Sequence, residues 1–215
     1  GEVHVEGKFS AESGFTTYRI ITDAQHSSGC CHLLAGALTA RHLEILGADI
    51  TTTRDDHVVD VFHVIDGDYS GDVPDARIVD IRETVQAVLN GETTVEELFR
   101  RHKTLSRVPS RETVMELPIR VTIDDDTSDR CTVISVFAHD QPGLLYTITR
   151  TLYQLGLSIE LAKIATHFDQ VADVFYVTDN DGRKVASESH QQAISKRLLD
   201  ELTAFEESTH REFVS

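Results

Sequence analysis

His139-Asp140-Gln141-Pro142-Gly143-Leu144-Leu145 is the stretch on which the reading of this sequence turns. Before it, Thr132 to Ala138 is β-branched and apolar between polar neighbours, the pattern of a buried strand. After it, Leu144, Leu145, Ile148, Leu152 and Leu155 share one helical face, and Gly156 stands where such a helix stops. Pro142 is therefore expected near the first helical position, where its missing N–H costs nothing. The N–H groups of Gly143, Leu144 and Leu145 would then have no partner within the helix. Gly143, lacking a Cβ, would let a ligand approach that backbone. A strand running into a bare helix start suits an anion, most simply the carboxylate of a small molecule. A tight turn that binds nothing is the plainer alternative.

Composition narrows the classes. The chain has 215 residues, 40% hydrophobic and 26% charged, enough for one large domain or two small ones. A formal net charge of −16 argues against nucleic acid or an anionic membrane surface as partner. No apolar run is long enough to span a bilayer. The start, Gly1-Glu2-Val3-His4, has no basic segment followed by an apolar one and so does not read as a secretory signal. With Met115 as its one Met, the sequence reads as a piece of something longer. Three cysteines, Cys30, Cys31 and Cys131, make a poor disulfide framework and fit a reducing, cytoplasmic compartment. His26, Cys30, Cys31 and His32 could suggest a metal site. Vicinal cysteines lack the usual spacer, however, and no second ligand pair follows, so a helix start with small buried thiols is the reading. No metal and no cofactor are expected.

The chain also repeats itself. Gly29 matches Gly143, 114 positions on (143 − 29), and at the same offset Leu38, Leu43, Ile45, Ala48 and Ile50 match Leu152, Leu157, Ile159, Ala162 and Ile164. Asp60-Val61-Phe62 and Val64 then match Asp173-Val174-Phe175 and Val177 one residue out of step, an insertion near Arg54 to His57 accounting for the slip. Each copy reads as strand, helix, strand, turn, strand, helix, with one more strand ahead of it: Val3 to Phe9 and Leu117 to Ile123. These leading strands should lie beside the strands that follow them. A bulge is expected between Leu161 and Ala162, where the apolar face switches. The last helix, through Ile194, Leu198, Leu202 and Phe205, should carry a Ser189/Gln192 capping box. Leu38, Leu43, Ile45, Ile50, Val61, Phe62 and Val64 are expected in the core, as are their counterparts Leu152, Leu157, Ile159, Ile164, Val174, Phe175 and Val177. The predicted fold class is α+β: two ferredoxin-like units, each a four-stranded antiparallel sheet with two helices on one face. The expected boundaries are 1–91 for the first unit, 92–112 for a helical linker and 113–215 for the second.

Asp140-Gln141-Pro142-Gly143-Leu144-Leu145, Leu152-Tyr153-Gln154-Leu155-Gly156-Leu157 and Ala162-Lys163-Ile164-Ala165-Thr166 resemble the ACT domains, which bind small ligands, often amino acids. More narrowly, Asp173-Val174-Phe175-Tyr176-Val177-Thr178-Asp179 with Gly182-Arg183-Lys184 is similar to the last ACT domain of the bifunctional PII uridylyltransferase/uridylyl-removing enzymes. Those enzymes sense glutamine in bacterial nitrogen control. The resemblance is strong from Arg120 to Leu202 and weaker from Tyr18 to Asp66. It departs at Gln141, where the family carries Arg, and in the first copy, whose turn lacks Pro and a following Leu.

The resemblance implies allosteric regulation rather than catalysis: a chain that is not itself an enzyme, whose parent's catalytic domains are its partners. The effector would be an amino acid, glutamine foremost, with a homodimer possible and neither nucleic acid nor membrane involved. Its carboxylate would lie on the N–H groups of Gly143, Leu144 and Leu145 behind Pro142. Its ammonium would face Asp140, with Gln141 near the side chain and Ile159, Glu160, Leu161 and Ala162 across the cleft. A second, weaker site is expected at His26, Ser28, Gly29, Cys30 and Cys31. The competing readings are a purely structural module whose sheet edges pair with a second copy, and a hydrolase built on His139-Asp140, which the following Pro-Gly helix start disfavours.

Overall fold

The computed structural model describes residues 3–23, 29–52, 57–101, 118–164, 166–167 and 170–214. Strands β1 (His4–Ser10) and β2 (Phe15–Asp23) precede helix α1 (Cys30–Ala40). Strands β3 (Leu43–Thr52) and β4 (His57–Asp66) and helix α2 (Asp75–Leu89) complete the first unit. A short helix, α3 (Val95–Arg101), follows. The second unit repeats the order: β5 (Arg120–Asp124), β6 (Thr132–His139), α4 (Leu144–Gln154), β7 (Leu157–Lys163), the two-residue β8 (Thr166–His167), β9 (Gln170–Asp179) and α5 (Glu188–Val214).

The units share one sheet of order β1-β2-β4-β3-β7-β9-β6-β5, with β8 paired to β9. Each leading strand forms a hairpin with its successor, β1 with β2 and β5 with β6, and so holds an outer edge, as expected. Arg211 to Val214 belong to helix α5 and do not pair at that edge. The units join where β3 pairs β7 over three positions, Asp49, Ile50 and Thr51 opposite Lys163, Ala162 and Leu161. Asp49 and Lys163 are themselves repeat equivalents, so an approximate two-fold axis passes through their pair. The helices form one layer: α1 packs on α2, α3 and α4, and α4 on α5.

Alternation along the strands decides the core. Tyr18 and Ile20 on β2, Phe62 and Val64 on β4, Ile134 and Val136 on β6, and Phe175 and Val177 on β9 are fully buried toward the helices. Leu38, Leu43, Ile50, Leu152, Leu157 and Ile164 are buried as expected. Ile45 and Ile159 are only partly buried at the margin. Val61 and Val174 are half-buried, because they neighbour Phe62 and Phe175 and a strand cannot turn successive side chains to one face.

Two local expectations are corrected. The register shift in β7 falls between Ile159 and Leu161, making Glu160 the bulged residue. The matching shift in β3, between Ile45 and Gly47, bulges Leu46, its repeat equivalent. At the start of α5, Ser187 rather than Ser189 does the capping. The Ser187 carbonyl accepts from the Gln191 N–H at 2.9 Å, and its Oγ lies 2.9 Å from the Ser189 hydroxyl. In the segment expected to be a helical linker, α3 buries Val95 and Leu98.

One polar knot locks the first unit. Arg77, 4% exposed, donates from Nε and Nη2 to the two Asp66 oxygens at 2.9 Å each, and from Nη2 to the Arg41 carbonyl at 2.6 Å. Asp80 accepts from Arg77 Nη1 at 3.2 Å and also pairs with Arg41. This ties α2 to the end of β4 and to the C-terminus of α1.

Candidate functional site

The second-copy turn is closed on itself. Gly143, at φ 91° and ψ −4°, is the residue before the helix, and the Leu144 N–H donates to the Gln141 carbonyl at 3.0 Å. That is a type II turn with Pro142 and Gly143 in its central positions. Pro142 therefore lies outside the helix rather than at its first position, and the Leu144 N–H is already used. Asp140 and Gln141 are half-buried, while Gly143, Leu144 and Leu145 are buried. In front of the bare Gly143 Cα stands the ring of Phe205 from α5, 3.7 Å from where a Cβ would be.

The first-copy turn has the same backbone: Gly29 at φ 81° and ψ 5° immediately precedes α1. His26 and Ser28 lie outside the described residues. Cys30 and Cys31 are buried, and Cys30 Sγ points at Oδ2 of the fully buried Asp60, 4.0 Å away. Burial, and then the Asp60 charge, push both thiols up, so they stay protonated and make poor nucleophiles or metal ligands.

The structure brings this first turn, not the second, to Ile159 and Glu160. The bulges at Leu46 and Glu160 flank the three paired positions of β3 and β7, and the strands part beyond them. There a cavity of about 130 Å³ opens. The first unit lines it with Gly29, Cys30, Cys31, His32 and Ile50, the second with Thr149, Tyr153 and the run Leu157 to Glu160. Asp140 to Leu145 stand at the opposite end of α4, roughly 15 Å from Tyr153 at 1.5 Å of rise per residue. Ala162 is fully buried opposite Ile50 in the junction. Leu161 and Glu160 border a separate hollow on the other side of the sheet, where Glu160 Oε1 accepts the Thr178 hydroxyl at 3.1 Å. The expected cleft is thus divided: its strand half belongs with the other turn.

Tyr153 roofs the cavity. Its ring stacks on His32, centroids 4.9 Å apart and planes inclined by 26°. Burial, reinforced by the Arg150 charge, pushes the His32 imidazole down to about 4 against the opposing pull of Glu96, so it is neutral at pH 7. Next to it Tyr146 donates its hydroxyl to Glu96 Oε1 at 2.7 Å, Arg150 Nη2 lies 3.3 Å from the same oxygen, and Phe99 meets the Tyr146 ring edge-on. Although burial alone would raise it, the Tyr146 hydroxyl and Arg150 hold the Glu96 carboxyl below its usual range. Helix α3 is thereby fastened beside the cavity. Thr149, Tyr153 and Ser158 were not expected at a site, and His32 was weighed only as a metal ligand. The one signal was a broken repeat: Tyr153 answers to the much smaller Thr39.

Among the described residues no group of three or more His, Cys, Asp or Glu could hold a metal ion, and no helix is long and apolar enough to cross a membrane.

Residues 120–205 match a family described as an ACR9-like, ACT-like domain. Over 94% of its length the chain is 35% identical to the bifunctional uridylyltransferase/uridylyl-removing enzyme of Azospirillum brasilense, covering 22% of that protein. It is 33% identical over 79% of its length to the Rhodospirillum rubrum enzyme, of which it covers 18%. It is 34% identical over 89% to that of Rhodopseudomonas palustris, covering 21%. An aspartate kinase from Synechocystis aligns over 88% of this chain and 28% of its own at 14% identity, with a TM-score of 0.44. The chain spans about a fifth of the length of the curated relatives it matches. Its repeated units, the glycine turn before each first helix, the family match and the curated relatives agree: the chain contains an ACT-like domain and is related to one part of the uridylyltransferase/uridylyl-removing enzymes.

Proposed function

We propose that this chain is an effector-sensing region that binds a free amino acid, glutamine foremost, between its two units. It would relay occupancy to catalytic domains that add and remove uridylyl groups in cytoplasmic nitrogen control. The observation that carries this reading is the cavity of about 130 Å³ under the start of α1, walled by both units and of a size for one small amino acid. The start of α1 favours a carboxylate there, and the parted β7 strand offers backbone to an ammonium. The neutral His32, Thr149 and Ser158 can exchange hydrogen bonds with an amide side chain. The chain itself is a regulator, not a catalyst, in this reading. The Asp140-Gln141-Pro142-Gly143-Leu144-Leu145 turn is a subsidiary site, masked by Phe205. A ligand-free structural module is the alternative, favoured by the continuous sheet.

Calorimetric titration with glutamine, glutamate and asparagine tests the reading. Saturable heat with glutamine is expected, kept in Asp140→Ala and lost in Ser158→Trp, whose indole fills the cavity. Loss in Asp140→Ala with retention in Ser158→Trp would move the site to the second turn. A flat trace with every amino acid from the folded chain would leave the structural module.

A further inference from the structure

We propose that two copies of this chain pair through the helix-free face of the sheet, about a two-fold axis running along the strands. The helices all lie on one side, and in an antiparallel sheet the opposite side is ordinarily polar and wet. Here it is not. Ile21, Val59, Val61, Val174, Tyr176 and Phe137 alternate with the core residues and so face away from the helices, half-buried, and Ile65 on the same face is 43% exposed. Apolar side chains set around a few charges are the ordinary make-up of an interface between folded proteins.

The register shows which partner fits. One row of cross-strand neighbours runs Glu6, Arg19, Val61, Asp49, Lys163, Val174, Ser135, Thr122 from edge to edge. At its centre the exposed Asp49 and Lys163 stand side by side on the open face, flanked by Val61 and Val174. A two-fold axis parallel to the strands, midway between them, sets Asp49 of one copy over Lys163 of the other, and Lys163 over Asp49. Two ion pairs form, flanked on either side by a contact between Val61 of one copy and Val174 of the other. An axis across the strands would instead set like charges together, so the pattern selects one arrangement. The four charges of this row cancel, whereas the chain as a whole carries −16. Two such acidic molecules can approach closely only where their signs balance.

The extent is also right. Eight strands about 4.8 Å apart, each contributing roughly 20 Å of length, give about 770 Å² per copy, close to the ~800 Å² per partner of a specific interface. Face-to-face packing leaves the outer strand edges and the Gly29 cavity free, so pairing is independent of effector binding.

Sedimentation equilibrium of the 215-residue chain across the micromolar range tests this. A monomer–dimer equilibrium is expected, with dissociation at least tenfold easier in Asp49→Lys and in Val174→Glu. The exchange Asp49→Lys/Lys163→Asp should restore the wild-type constant, because each copy again meets an opposite charge. Circular dichroism confirms that each variant is folded, and added glutamine should leave the equilibrium unchanged. A wild-type chain that stays monomeric overturns the proposal, as does a dimer indifferent to Asp49→Lys or one that the double exchange fails to restore.

Discussion

Tyr153 occupies the space that a side chain on Gly29 would need: a Cβ there would lie 2.6 Å from Cδ2 and Cε2 of the ring, well inside contact distance. The two residues belong to different units, so a missing side chain in one repeat is filled by an aromatic ring from the other. Gly29→Ala should therefore cost both the positive-φ strain, about 1–2 kcal/mol, and the displacement of Tyr153. Gly14→Ala, at φ 75° with nothing within 4 Å, should cost the strain alone. In urea unfolding, Gly29→Ala should be the more destabilising, and adding Tyr153→Ala should recover the difference.

A glycine inside a helix ordinarily gains about 1 kcal/mol on replacement by Ala. Gly36 should behave oppositely. A Cβ there would stand 2.4 Å from Val95 Cγ1 and 2.9 Å from Tyr146 Cδ2, where α1 meets α3 and α4. Gly36→Ala should lower the melting temperature, and Gly36→Ala/Val95→Ala should regain much of the loss.

Arg77 and Asp66 are both nearly inaccessible, with side chains 4% and 3% exposed. Arg77→Met leaves the Asp66 carboxylate buried without its cation, which should cost about 3–5 kcal/mol. Because water and salt do not reach the pair, the loss should be nearly the same at low and high ionic strength, as chemical denaturation in both can establish.

His32 predicts an acid-side loss of stability. Its folded-state value of about 4 lies below the ordinary 6.5, so the unfolded chain binds the extra proton first. Stability from the neutral ring is complete above pH 6.5 and declines as pH falls toward 4. The slope should approach, at most, the one-proton limit of about 1.4 kcal/mol per pH unit. Unfolding free energies measured across that window should be flatter for His32→Gln than for the wild type.

The fold was legible because its signals are local. Thr132 to Ala138, the Pro142-Gly143 turn and the Leu144-to-Leu155 face each declare an element, and the 114-residue offset declares that it occurs twice. The site was only half legible, for a geometric reason. Periodicity marks Ile159 and Glu160 as strand residues but carries no information on which turn they will face. That depends on the three-position junction of β3 with β7, beside which β7 meets Gly29 of the other unit. Likewise the side chains of Val61 and Phe62 are equally apolar, and only the pleat assigns one to each face. The hydrogen bond from Leu144 to Gln141 follows from a proline-glycine pair, but a helix start drawn two residues too early hides it.

The covalent junction of the two units has a consequence for how they can diverge. In a dimer of identical subunits every substitution appears twice, so both halves of a symmetric interface must tolerate it. Here each half is written by its own stretch of the chain. Tyr153 can roof Gly29 while its counterpart remains Thr39, and Phe205 can cover Gly143 with nothing asked of the first unit. One hollow is thus free to be tuned to a guest while the other is given over to holding the C-terminal helix, a division of labour that strict symmetry forbids.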